Sequence, residues 1–399
     1  MPFLLLSTML KALALTWRKV ENFSGLLLQK KRTFHYLCWI KRIVFVTAVT
    51  RLFLRGDNLS PRRENIAIAE RKRKTYNPLG INILANMENV SMEAEIRAEA
   101  LRLGFSACGF AKAEPVDDEM AQTLDHWVDS GNHADMGYME RNRHLRLDPT
   151  QLVPGCRTLI VVALNYYPQQ MLPGNAYQIA YYAYGADYHH VVKDKLYQLF
   201  AYIKTLAPEV EGRAFCDTAP LLERYWAVKA GLGFIGLNRT LIIPDQGSYF
   251  FLGVLAIDTE LNESAHDVPS SCIGCKRCLI ACPTGALTRD GIDCRRCLSY
   301  LTIEHRGEIP YEFGPKMGSR IYGCDTCQRV CPHNRYAKPT AESAFALSPE
   351  VASLTREDWH QITPERYSQL FKDSAMERAG YKGLKRNMEL LIASKNDKM

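Results

Sequence analysis

Nine of the thirteen cysteines in this 399-residue chain lie between Cys272 and Cys331. The run opens as Cys272-Ile-Gly-Cys275-Lys-Arg-Cys278-Leu-Ile-Ala-Cys282-Pro283 and closes as Cys324-Asp-Thr-Cys327-Gln-Arg-Val-Cys331-Pro332, with Cys294 and Cys297 between. C-x2-C-x2-C-x3-C-P is the spacing of paired [4Fe–4S] clusters, in which the fourth cysteine ligates the other cluster. Three thiolates on a tight loop reach different irons of one cube, while the fourth, a helical turn further on, points to a second. Two cubes take eight thiolates, which leaves one cysteine spare. Zinc sites favour isolated C-x2-C pairs and have no use for a third member of the triple. Disulfides ask for an oxidising compartment, for which the sequence offers no sign.

Other residues are ambiguous by themselves. Asp217, ahead of Pro220, reads either as a helix cap or as a carboxylic acid that delivers a proton. Asp187 and the adjacent His189 and His190 follow four tyrosines and read either as a solvated turn or as a polar site, with a histidine able to move a proton or bind a metal. Gly231-Leu-Gly233-Phe-Ile-Gly236 has the letters of a dinucleotide loop, but a helix precedes it and a strand follows, the reverse of the required order. Its glycines are expected to serve a sharp turn or a close approach. Lys276, Arg277, Arg295, Arg296, Lys316, Arg320 and Arg329 either balance anionic clusters or contact phosphate.

These residues need a scaffold. The run Thr158–Leu164 is apolar throughout and of strand length, as for a strand buried on both faces. Ser91 caps an expected helix carrying Ile96, Ala100 and Leu103, and a second follows around Met120–Ser130. Val192, Leu196, Leu199, Ile203 and Leu206 mark an amphipathic helix. Further strands are expected at Arg213–Cys216, Leu241–Ile243 and Leu252–Ile257, with a helix running from Asp217 through Lys229. Cys108 is expected to be buried and inert. The chain is 47% hydrophobic, enough for two or three cored domains. Its formal charge of +7 is unevenly spread: residues 1–86 carry 16 Lys/Arg against 4 Asp/Glu, leaving 34 against 39 for the rest. That basic extension is read as a mis-assigned start or a disordered tail. Its longest apolar stretch is too short to span a bilayer, so a cytoplasmic placement with no membrane association is expected.

Five stretches together resemble the epoxyqueuosine reductase family. They are Met136-Gly-Tyr-Met139 with Arg146-x-Asp148-Pro149; Tyr184-Gly-Ala-Asp187-Tyr-His189; Asp217-Thr-Ala-Pro-Leu-Leu-Glu223; Ala230-Gly-Leu-Gly-Phe-Ile-Gly236 with Asn238 and Thr240; and Cys297-Leu-Ser-Tyr-Leu-Thr-Ile-Glu304 with the cluster cysteines. The resemblance implies an α+β protein: a corrinoid-binding α/β catalytic domain at 87–264, a two-[4Fe–4S] ferredoxin-like domain at 265–340, and a helical segment at 341–399. It implies reduction of epoxyqueuosine in tRNA, electrons passing from an external flavodoxin- or ferredoxin-type donor through two clusters to a base-off cobalamin in a monomeric enzyme. Asp217 then becomes the proton donor, an acid held neutral beside the corrin. Asp187, His189, Asn238, Thr240, Gly247 and Ser248 become cofactor contacts with it. Cys272, Cys275, Cys278 and Cys331 would hold one cube and Cys282, Cys297, Cys324 and Cys327 the other, with Cys294 the spare. The competing readings are a corrinoid reductive dehalogenase and a plain iron–sulfur electron carrier. The large segment before the clusters argues against a carrier.

Overall fold

A computed structural model describes residues 91–264, 268–272 and 274–396. The expectations for residues 1–86 lie outside this described part. The first described element, α1 (Met92–Arg102), starts where Ser91 accepts the N–H of Ala94, and it buries Ile96 and Ala100. It leads into β1 (Ala107–Lys112). Helix α2 (Asp118–Asp129) follows, capped by Asp117. Then β2 (Thr158–Asn165) crosses the protein with all but its last residue buried.

β2 pairs antiparallel with β1 on one side and with β7 (Phe250–Ile257) on the other, and β7 pairs antiparallel with β4 (Gly212–Phe215). The four-stranded sheet therefore runs β1-β2-β7-β4. The catalytic segment is thus α+β, with no parallel pairing in this sheet. Alternate residues of β2 serve different cores, as strand geometry requires. Ile160, Val162 and Leu164 join one apolar cluster, while Leu159, Val161 and Ala163 join a second on the opposite face. The first face is covered by α1 and by α3 (Tyr188–Leu206), which buries Val192, Leu196, Leu199 and Ile203. The second is covered by α4 (Glu223–Lys229) through Trp226 and Ala227.

Two short pairs complete the strands. β5 (Phe234–Ile235) and β6 (Leu241–Ile242) form an antiparallel hairpin. β3 (Gln178–Ile179) lies parallel to β8 (Arg320–Tyr322), which ties the catalytic segment to the cysteine-rich one. That segment contributes α5 (Arg277–Ala281), α6 (Leu298–Ile303) and α7 (Thr326–Arg329). The chain then closes through short helices into α8 (Gly380–Asn396). The first apolar cluster continues without a break from α1 through Leu298 and Ile321 to Leu391.

One expectation changes in detail and another holds. The helix expected from Asp217 begins only at Glu223, with Leu222 at its cap position and no side-chain cap. Asp217 has φ +59°, a left-handed conformation that cannot enter an α-helix. The glycines of Gly231–Gly236 serve turning and packing. Gly231 has φ +72°, and a Cβ on Gly233 would lie 2.1 Å from the carbonyl oxygen of Ile242.

Candidate active site and cluster centres

Asp217 lies two residues past the end of β4, in the loop before α4, with its side chain 63% exposed. Two residues from the start of α3 reach it. The hydroxyl of Tyr188 donates to Asp217 Oδ2 at 2.5 Å, and His189 Nε2 lies 3.5 Å from the same oxygen. The other ring nitrogen of His189 is 2.6 Å from Asp187 Oδ1. Asp187 caps α3 with that same oxygen, accepting the His189 N–H at 2.8 Å. One carboxylate therefore starts the helix and orients the imidazole. Tyr188 is fixed in turn by stacking on Phe251 of β7, with centroids 4.2 Å apart and rings 1° from parallel. It also stacks on His189 at 4.0 Å. His190 points to solvent.

The electrostatics of this group differ from a simple neutral acid. Crowding raises the Asp217 pKa, but hydrogen bonds from His189 and Tyr188 and the charges of His189 and Arg224 outweigh it, and the carboxyl falls below its ordinary value. Burial lowers His189, yet Asp187 and Asp217 overcome that and lift it to about 9. Glu223, whose Oε1 accepts the Asp217 N–H at 2.6 Å, is raised to about 8 by burial and by the Asp217 charge. At neutral pH the group is therefore Asp187 and Asp217 ionised, His189 cationic and Glu223 protonated. The proton expected on Asp217 resides on its neighbour His189.

Tyr188, Glu223, Tyr138 and Arg146 stand within the motifs, but nothing in their spacing gives them a role. Tyr138 and Arg146 both feel the Asp217 charge. Arg146 is buried, donates through Nη2 to the Tyr138 carbonyl oxygen at 2.9 Å, and leaves its Nε without a partner. Arg146 stands in the short helix Arg143–Leu147, and its burial is made by the fold.

The remaining expected cofactor contacts lie elsewhere. Asn238 sits in the β5–β6 hairpin loop and is 5% exposed. Its Oδ1 accepts the Thr240 hydroxyl at 3.0 Å, and its Nδ2 has no partner. Gly247 and Ser248 meet the cysteine-rich segment: the Ser248 N–H donates to Asn334 Oδ1 at 2.7 Å, and Gln328 Nε2 donates to the Ser248 carbonyl oxygen at 3.0 Å.

The cysteines fall into two groups. Cys272, Cys275, Cys278 and Cys331 line one cavity together with Asn238 and His333. Cys297 feels Cys324 and Cys282 as electrostatic neighbours, and Cys327 feels Cys324 and Cys297. Cys278 and Cys327 are also neighbours, so the groups adjoin where α5 packs on α7. Among the described residues, no three Cys, His, Asp or Glu side chains are grouped so as to hold a single metal ion. Backbone N–H groups converge on the thiols: those of Leu287, Thr284 and Ala286 on Cys282, and those of Tyr300 and Ser299 on Cys297. N–H donors of this kind stabilise thiolate ligands. Cys294 is buried, and that burial pushes its thiol up to about 12. Cys108, also expected to be buried, is likewise pushed up to about 12 by burial.

Comparison with known proteins places these features in context. Residues 146–218 match the family described as epoxyqueuosine reductase QueG, DUF1730, and residues 271–334 match a 4Fe-4S double cluster binding domain. An epoxyqueuosine reductase of Cellulophaga algicola is 44% identical over 297 residues, covering 74% of this chain and 96% of the relative. A crystal structure of epoxyqueuosine reductase with an epoxyqueuosine-modified tRNA-Tyr stem loop superposes with a TM-score of 0.69 at 30% identity, covering 76% of this chain and 81% of that one. The Bacillus subtilis enzyme, 28% identical with the same TM-score of 0.69 and the same coverage, is described with its catalytic aspartate loop swung out of the active site. Among the described residues, no helix is long and apolar enough to cross a membrane.

Proposed function

The chain belongs to the epoxyqueuosine reductase family, and we propose from this that it reduces the epoxide of epoxyqueuosine in tRNA, consuming two electrons and two protons and releasing the oxygen as water. The observation that carries the reading is the convergence of Asp217, Tyr188 and His189, within and beside the family-matched segment, in a chain that also holds a double-cluster domain.

The two cysteine groups support one [4Fe–4S] cluster on Cys272, Cys275, Cys278 and Cys331 and another on Cys282, Cys297, Cys324 and Cys327, with Cys294 left out. The unpartnered Asn238 Nδ2, buried at the wall of the first cavity, fits as a donor to that cluster. A cobalamin is proposed at the open face of Asp217, where the orphaned Arg146 Nε suits a corrin amide or phosphate oxygen. When bound, the corrinoid supplies a reduced cobalt nucleophile for the epoxide carbon, and the clusters supply electrons singly from an external donor protein.

The protein's own work is with protons. Opening the epoxide develops negative charge on oxygen, and an acid within reach removes it. Asp217, ionised at rest, faces that oxygen and relays to it the proton of the cationic His189, 3.5 Å away, while Asp187 holds the ring that gives the proton up. Tyr188 fixes the Asp217 carboxyl and leaves its second oxygen for the substrate.

Anaerobic reconstitution followed by metal analysis tests the cofactor set, with about eight irons and one cobalt per chain expected. Asp217→Asn should abolish turnover of epoxyqueuosine-tRNA while cobalamin still binds. Failure to bind cobalt removes the corrinoid reading, and undiminished turnover of Asp217→Asn removes the proton donor.

A further inference from the structure

Asp217 stands in a conformation that L-residues avoid. Its φ is +59°, and the Thr218 N–H bonds to the Cys216 carbonyl oxygen across it at 2.7 Å. A three-residue turn with a positive central φ is the rarer, strained hand. Such a residue persists only where its surroundings over-determine it. Tyr188 and His189 hold the carboxyl, but neither touches the backbone that carries the strain. The backbone N–H of Asp217 is held by Glu223 Oε1 at 2.6 Å. Glu223 opens α4, and α4 is anchored by the buried Trp226 and Ala227. The loop between Asp217 and Glu223 is thereby closed back onto a fixed helix.

We propose that Glu223 is a positioning residue for the reaction: by accepting the Asp217 N–H, its carboxyl oxygen locks the catalytic loop in the left-handed turn that presents the Asp217 carboxyl to Tyr188, His189 and substrate. The proposal rests on Asp217 as proton donor. Glu223 is suited to the task because it keeps its proton to about pH 8. It accepts the N–H through its carbonyl oxygen without placing a second negative charge against Asp217. The simpler role, an acid at the first turn of a helix interacting with the helix dipole, would use the charge and not the acceptor. The two roles therefore part company at glutamine.

The experiment compares the wild type, loaded with clusters and cobalamin, with Glu223→Ala and Glu223→Gln. Hydrogen exchange of the 216–222 segment is followed by mass spectrometry, and turnover of epoxyqueuosine-tRNA is measured in parallel. In Glu223→Ala the Asp217 amide should exchange about tenfold faster, as for loss of one hydrogen bond of ordinary strength. Its kcat should drop roughly tenfold to a hundredfold with KM for tRNA held, as for a misplaced catalytic group. Glu223→Gln should restore both the protection and most of the kcat. Should the alanine variant not fold, Glu223→Met fills the space without an acceptor and takes its place. Unchanged exchange in Glu223→Ala or Glu223→Met overturns the proposal, as does Glu223→Gln proving as impaired as either. Because exchange is read without substrate, it separates this proposal from the proton-donor assignment. If Asp217→Asn remains active, that assignment falls while the exchange pattern still decides the lock.

Discussion

At neutral pH the four groups Asp187, His189, Asp217 and Glu223 share two protons, one on His189 and one on Glu223. The first is the mobile one. His189 holds its proton until about pH 9, so kcat should be flat through neutrality and fall above about pH 9 as the imidazolium is lost. A His189→Asn variant should lack that limb and turn over at least tenfold more slowly, in line with the worth of a placed proton-transfer group; a kcat–pH profile checks both. The second proton makes a statement about stability. Glu223 titrates near 4.5 when unfolded and about 8 when folded, so between those values the native state binds the extra proton. Stability is then fully present below pH 4.5 and declines as pH rises through 8. Glu223→Gln removes this penalty. Its Tm should exceed that of wild type at pH 9 and match it near pH 4.

At the scale of elements, the β5–β6 hairpin does two jobs. Its glycines let it pass close to its own partner strand, and its loop carries Asn238 to the wall of the cysteine cavity. Gly233→Ala would drive a Cβ to 2.1 Å from a backbone oxygen, and backbone cannot swing aside as a side chain can. The expected cost is about 1–3 kcal/mol or more, measured by denaturant unfolding, with no nucleotide-binding phenotype to find. Asn238→Leu should keep the fold and lower the reduction potential of the cluster proposed on Cys272, Cys275, Cys278 and Cys331, since removing an N–H donor to the sulfurs disfavours the more negative reduced state. An EPR-monitored redox titration reads this directly. An unmoved potential would return Asn238 to a purely structural role in its hairpin.

Over the whole molecule, the catalytic and cysteine-rich segments share one apolar core and a polar seam. Asn334 is the centre of that seam. It accepts the Ser248 N–H at 2.7 Å and donates to the Gln328 carbonyl oxygen at 2.7 Å and to the Ser248 hydroxyl at 3.0 Å. Asn334→Ala should cost about 2–4 kcal/mol at roughly 1 kcal/mol per lost bond plus the groups left unpaired. It should also speed the loss of iron from the adjoining Cys331 cluster, seen as a faster decay of visible absorbance. Ser248, expected with Gly247 as a cofactor contact, joins the two halves through these hydrogen bonds.

Local signals were legible without coordinates because they depend on chain spacing alone. The cysteine run, the all-apolar β2, the cap at Ser91 and the amphipathic α3 are each set by residues a few positions apart. The order of elements around Gly231–Gly236 likewise argued against a dinucleotide loop before the packing of Gly233 supplied the reason. What remained open were questions of partnership between distant residues. Whether Asp217 is a cap or an acid depends on Tyr188 and His189, nearly thirty positions earlier in the chain. Its protonation depends on burial, on those same two residues and on the charge of Arg224. Cys272 and Cys331 meet across a loop, and Ser248 finds Asn334 86 residues away. The sequence determined which chemistry this protein carries; only the tertiary structure decided where each proton resides, because pKa values follow burial and neighbouring charge, and both are made by the fold.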